Sequence, residues 1–190
     1  RSPSRGLGDV YKRQVRAAGV RRVTAQHFYG GVPVPYTVSW TDEREHFLAD
    51  DPNARPELPA IMQKSAPGEG KPRFGDPHFG RQRETISKGL CDLCGKPLRT
   101  STKVSLSHAH PRVNGATAFD ILQVEPLLHR ACARISVDHC PSLKRDIDRG
   151  TLMIRQVFQH RCQLAIITPT GTEEMTGEAR KSFGYAKVQL

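Results

Sequence analysis

Two short pairs of soft-donor side chains constrain this chain more than any other feature. The first is Cys91-Asp-Leu-Cys94, followed by Gly95-Lys96-Pro97; the second is His129-Arg-Ala-Cys132, preceded by Pro126-Leu-Leu. Two thiols in Cys-x2-Cys spacing point into one space when the chain turns tightly, and a glycine after the second relieves the crowding. A His and a Cys spaced i, i+3 project from one face at the start of a helix. Cys91, Cys94, His129 and Cys132 together make a closed, tetrahedral set of three sulfurs and one imidazole. That set suits a borderline-soft ion, zinc before others, and a closed shell makes the ion structural. His139 and Cys140 are alternatives to His129 as the fourth ligand, but Cys132 and Cys140 lie about two helical turns apart, too far to share an ion from one straight helix. Cys140 therefore reads as a small buried residue at a helix end, and Cys162 as part of a strand core.

A metal staple matters here because the rest of the chain offers little to fold around. Of 190 residues 37% are hydrophobic and only 6% aromatic, with 16 Gly and 14 Pro adding loop. Metal binding supplies folding free energy that such a thin interior lacks. The net charge of +10 and pI of about 9.7 favour an anionic partner, nucleic acid first and a membrane surface second. No apolar run approaches the ~20 residues of a membrane span, and the amino terminus lacks the apolar stretch of a secretory signal. Five cysteines, an odd number, fit metal binding in a reducing compartment better than a disulfide framework, so a cytoplasmic location is expected.

Along the chain, Val20–Val23 and Tyr36–Trp40 read as weak strands around the Gly30-Gly31-Val-Pro33-Val-Pro35 turn. Thr41 is placed to cap a short helix over Asp42–Ala49, and Asp50 to Arg73, rich in Pro, Gly and charge, reads as a linker. Residues 15–72 are thus expected to form an N-terminal arm, residues 73–168 the zinc-binding domain and residues 169–190 a polar, mobile tail with a final edge strand at Tyr185–Leu190. Within the domain the pattern predicts a basic helix over Phe79–Lys88, the Cys91–Cys94 knuckle, strands at Lys103–Ser107 and Phe119–Val124, a helix over His129–Val137 and a second over Pro141–Arg149. A β-hairpin follows, made of Thr151–Phe158 and Cys162–Thr168.

Knuckle, strand pair and a helix carrying the second ligand pair is an order that resembles a treble-clef zinc finger over Gly89 to Arg149. The resemblance implies an α+β fold with that small finger at its core, followed by the second helix and the hairpin, behind a loosely ordered N-terminal region. The stretch Ser107-His-Ala-His-Pro-Arg-Val-Asn-Gly, with Ile121-Leu-Gln-Val and His129-Arg-Ala-Cys132, also resembles an HNH nuclease. That likeness implies His108 or His110 as the base that activates water beside a catalytic metal. As a whole, residues 73–168 look similar to an uncharacterised group of small zinc-finger proteins of bacteria and their phages. Residues 1–14 resemble translated sequencing-adapter read-through and are set aside; without them the net charge is +7, four cations and one acid being removed.

These observations lead to an expectation of a zinc-stabilised, non-catalytic module binding nucleic acid, DNA rather than RNA. Lys96, Arg99, Lys103, Arg112, Arg130 and Arg134 are the candidate phosphate contacts. The alternative is an HNH-like metal-dependent endonuclease, and the second alternative a zinc-stapled module that binds a protein partner.

Overall fold

The computed structural model describes residues 26–99, 103–114 and 118–190, with the backbone alone for 112–114 and 118–120. The expected strand at Val20–Val23 and the segment 1–14 lie outside the described residues. The fold is α+β, with a zinc-finger core.

Its first organising element is helix α1, Phe79–Ser87. His78 caps it, its Nδ1 accepting the Arg81 N–H at 3.2 Å. The sequence Phe-Gly-Arg-Gln-Arg-Glu-Thr-Ile-Ser reads as a basic surface helix, yet Arg81, Gln82, Arg83 and Thr85 are all buried. Most of their polar groups find partners: Thr85 Oγ1 donates to the Arg81 carbonyl one turn back, the others reach distant segments, and Arg81 Nε is buried without a partner. Arg81 donates to both carboxylate oxygens of Glu43, at 2.7 and 2.6 Å, and to the Val38 carbonyl at 2.8 Å. Arg83 donates to Asp51 at 2.5 Å and to the carbonyls of Ile61 and Gly184 at 2.7 and 2.8 Å. Gln82 bridges the carbonyls of Val124 and Ala186 and accepts from the Ala186 N–H. A guanidinium leaves water only when its donors are matched in this way, so the burial and the pairing are one fact.

The partners come from the segment expected to be an arm. From residue 26 onward that segment belongs to the folded body: β1 (Phe28–Tyr29) and β2 (Val32–Pro33) form a hairpin, β3 (Val38–Trp40) pairs with β6 (Pro72–Pro77), and β4 (His46–Ala49) pairs antiparallel with β5 (Ala60–Gln63). The helix expected over Asp42–Ala49 is instead a 3-10 turn at Thr41–Glu43 followed by β4. The physical reason is Glu43, whose carboxylate is drawn inward to Arg81 and to the N–H groups of Trp40 and Ala66.

The larger sheet is built on β14 (Ser182–Gln189). On one side it pairs antiparallel with β13 (Arg161–Ile167); on the other it meets β10 (Leu122–Gln123) and, in parallel, β5. The strand expected at the chain's edge is therefore the middle of the sheet. Phe79 of α1 stacks flat on its Tyr185, centroids 4.0 Å apart. The smaller sheet has the order β11 (Leu128–His129), β7 (Lys103–Ser107), β12 (Met153–Gln156), beside helices α2 (Arg130–His139) and α3 (Pro141–Asp148). Between β7 and β11, β8 (Arg112–Asn114) and β9 (Ala118–Asp120) pair with each other.

The hairpin expected over 151–168 does not form. β12 pairs with β7 and β13 with β14, because Val157 between them is buried with Ile86, Leu127, Ala186 and Val188 and turns the chain from one sheet to the other. Cys162 is exposed on β13 rather than in a core. The tail expected to be mobile holds α4 (Pro169–Thr176), capped by Thr168, whose side chain accepts from the Gly171 N–H, and ended by Gly177 at φ 80°.

The cap of α1 gives a pH prediction. His78 is 3% exposed, and burial, reinforced by the Arg81 charge, pulls its pKa from 6.5 down to about 4. The unfolded chain therefore binds the extra proton first, and this group's contribution falls as pH drops from about 6.5 to 4. Complete protonation costs about 3 kcal/mol. Urea titrations across that window should show a shallower acid-side loss for His78→Asn, which keeps a capping acceptor, than for the unmodified chain.

Candidate metal centre

The knuckle is a chain reversal closed by backbone bonds. Leu90 bridges Pro97, the Cys91 N–H donates to the Lys96 carbonyl at 2.8 Å, and the Gly95 N–H donates to the Cys91 carbonyl at 2.8 Å. Gly95 sits at φ 64°, where a side chain is disfavoured. The reversal places both sulfurs on the side that faces β11 and the start of α2.

His129 is the final residue of β11 and the N-cap of α2, and Cys132 lies in the first turn of that helix. The ligand atoms of Cys91, Cys94, His129 and Cys132 all lie within 4.8 Å of one another. A tetrahedral shell with Zn–S bonds of about 2.3 Å places its sulfurs about 3.8 Å apart, so the arrangement accepts that ion with little movement. His129 Nδ1 is 3.5 Å from the Cys94 sulfur and 3.9 Å from that of Cys132, and the His129 N–H points to the Cys91 sulfur at 3.4 Å. On the other edge of the ring, Nε2 lies 3.0 Å from the Pro97 carbonyl. A carbonyl only accepts, so that contact assigns the proton to Nε2 and leaves the Nδ1 lone pair turned toward the three sulfurs.

The donors are poor as free thiols and good as ligands. Burial pushes the Cys91 thiol up, and burial together with the neighbouring sulfur charges of Cys91 and Cys94 raises that of Cys132. Several thiolates in one small volume need a cation among them, and a divalent ion reverses the shift by binding the deprotonated form. The donor chemistry, the imidazole tautomer and the spacing all fit zinc. Bound there, the ion supplies structural cross-linking, with four protein ligands filling its shell.

The site also ties in the amino-terminal segment. Thr37 Oγ1 donates to Asp92 Oδ1 at 2.5 Å, and the Tyr36 N–H reaches the carbonyls of Asp92 and Leu93 at 2.8 and 3.2 Å. Burial pushes the Asp92 carboxyl up to about 6 against the Thr37 hydrogen bond, with the Glu125 charge adding to the rise. Beneath the four ligands, Leu93, Leu106, Leu128 and Ala133 are buried around Cys91. Nothing in the ligand spacing pointed to the Pro97 carbonyl or to Thr37; both depend on where a distant backbone ends up.

His139 and Cys140 do not join the cluster; Cys140 is the junction between α2 and α3. Of the expected phosphate contacts, Lys96, Arg99, Arg130 and Arg134 are exposed, and Arg130 and Arg134 share one helix face. Lys103 is a correction: only 8% exposed, it reaches His160 Nδ1 at 3.3 Å and is withdrawn from the surface. The Arg112 side chain lies outside the described residues. His108 and His110 are exposed, and His108 Nε2 lies 3.2 Å from Asp146. Among the described residues, neither belongs to a group of three or more converging His, Cys, Asp or Glu side chains. No helix among them is long and apolar enough to cross a membrane.

Comparison with protein-family models, curated proteins and solved structures gives no match, so the reading of this centre stands on its geometry. Elemental analysis of the purified chain should give about one zinc per molecule. Cys91→Ser or Cys132→Ser should abolish the metal and the cooperative melt of the finger, whereas Cys140→Ala and Cys162→Ala should keep the zinc. Retention of stoichiometric zinc by Cys91→Ser would contradict the assignment.

Proposed function

We propose that the chain is a zinc-stabilised module that binds nucleic acid without chemistry on it, DNA being the first ligand to test. The observation that supports this is where the charge sits. Residues 91–161, which contain the finger, carry eleven Lys and Arg against six Asp and Glu, while residues 26–90 carry eight against nine. Two cations of the latter half, Arg81 and Arg83, are spent inside on Glu43 and Asp51. In the finger half, Lys96, Arg99, Arg130, Arg134, Lys144 and Arg145 stay exposed. Cations fixed on a rigid scaffold attract a polyanion, release its counterions and give affinity largely independent of sequence.

Measured by fluorescence anisotropy, affinity for a DNA duplex should fall steeply with added salt. The Arg130→Ala/Arg134→Ala double variant should lower the slope of log K against log salt by about 2 while leaving the zinc content unchanged. Binding that is absent, or indifferent to salt, would remove this reading.

One contact favours a second reading, the HNH-like nuclease. The Asp146 carboxylate holds the exposed His108 imidazole by Nε2, an arrangement that orients a general base. That reading requires DNA nicking with magnesium, manganese or nickel, lost in His108→Ala; intact plasmid in all three metals would dismiss it.

A further inference from the structure

Asp92 and Leu93, the two residues between the knuckle cysteines, are the place where the amino-terminal segment docks. The Tyr36 N–H donates to both of their carbonyls, at 2.8 and 3.2 Å, and the Thr37 hydroxyl donates to the Asp92 carboxylate. On its own backbone, the Asp92 N–H donates to the carbonyl of Leu127, two residues before His129, at 2.9 Å. The backbone that spaces the Cys91 and Cys94 sulfurs is thus the same backbone that Tyr36 and Thr37 hold.

These two residues also reach both ends of helix α1. The Thr37 carbonyl accepts the N–H of His78, the N-cap, at 2.7 Å. The Tyr36 hydroxyl donates to Glu84 Oε2, toward the other end, at 2.7 Å, and Lys88 donates to the second oxygen of that carboxylate at 2.8 Å. Two consecutive residues therefore stand between the knuckle and α1, each bonded to both. Thr37 is buried, so removing one side of its contact leaves the other unsatisfied away from water. The strand that follows at once, β3, carries Trp40, buried with Val34 and Val38.

Groups that hold a ligand loop in place tune the affinity of the metal it binds, although they never touch the ion. By linkage, a contact that strengthens metal binding is itself strengthened by the metal, and by the same factor. We propose that Tyr36 and Thr37 are positioning residues of the metal centre, and that metal occupancy in turn sets how firmly the amino-terminal strands are held against α1. The proposal rests on the zinc reading of the centre and is independent of the nucleic-acid reading.

Trp40 is the only tryptophan of the chain, so its emission reports the docking directly. The full chain, stripped of metal under reducing conditions, is titrated with zinc against a chromophoric chelator while that emission is followed. Emission should change in step with zinc uptake and level off at about one equivalent. Thr37→Val, which removes the hydroxyl and keeps the shape, should weaken zinc binding by about 10- to 100-fold, and Thr37→Ser should restore it. The melting midpoint should fall in Thr37→Val more when zinc is bound than when it is absent. Unchanged zinc affinity in Thr37→Val, an equal loss of midpoint with and without zinc, or Trp40 emission indifferent to bound zinc would each overturn the proposal. A chain that takes up no zinc would instead overturn the metal reading, and this one with it.

Discussion

As thiolates, three sulfurs crowded with an imidazole nitrogen within 4.8 Å need positive charge among them. The knuckle and the β11–α2 junction present those four atoms. The knuckle turn supplies two, and a strand end running straight into a helix supplies the other two. The Pro97 carbonyl then fixes which imidazole nitrogen faces inward. Around Cys91 the apolar residues are few, and the cluster they form would be a marginal core for a domain of this size. A metal ion held there would turn a loose set of short strands into a fixed scaffold.

The other half solves the same shortage of apolar material differently. Helix α1 is buried with its guanidiniums inside, each matched to a carboxylate and to backbone carbonyls. Buried ion pairs are not generous stabilisers, since desolvation offsets most of the attraction. Their value here is specificity. Arg81 accepts only a geometry that brings Glu43 and Val38 to it, and Arg83 only one that brings Asp51, Ile61 and Gly184. Strands too short to define their own register are thereby located by hydrogen-bond demand. The two halves meet through Thr37 and Asp92, so the knuckle is also an anchor for the amino-terminal segment.

The metal ligands were legible in the sequence because their chemistry is local: Cys-x2-Cys and His-x2-Cys imply convergence wherever the rest of the chain goes. Helices α2 and α3 were legible for the same reason, with Pro141 marking the start of α3 and Gly150 its stop, whereas Pro126 precedes strand β11 and not the first turn of α2. What escaped was set by distant partners. Arg81 and Arg83 read as surface cations because nothing near them announces Glu43 or Asp51. The stretch from Asp50 to Arg73 reads as linker because strand β5 is only Ala-Ile-Met-Gln, and its burial comes from β14, well over a hundred residues away. Helix α4 should have been read, for Thr168-Pro169 and Gly177 are an ordinary start and stop; its polar composition concealed it.

That remote pairing has a consequence for how the chain is made. Gln82 and Arg83 find carbonyls at Ala186 and Gly184, 104 and 101 residues further on. During synthesis the four candidate ligands, Cys91 to Cys132, emerge before β14 leaves the ribosome. Helix α1 meanwhile waits with its guanidiniums hydrated and its sheet unfinished. The order of synthesis thus places the candidate metal ligands ahead of the strand on which α1 packs, and strand pairing over such a separation is intrinsically slow.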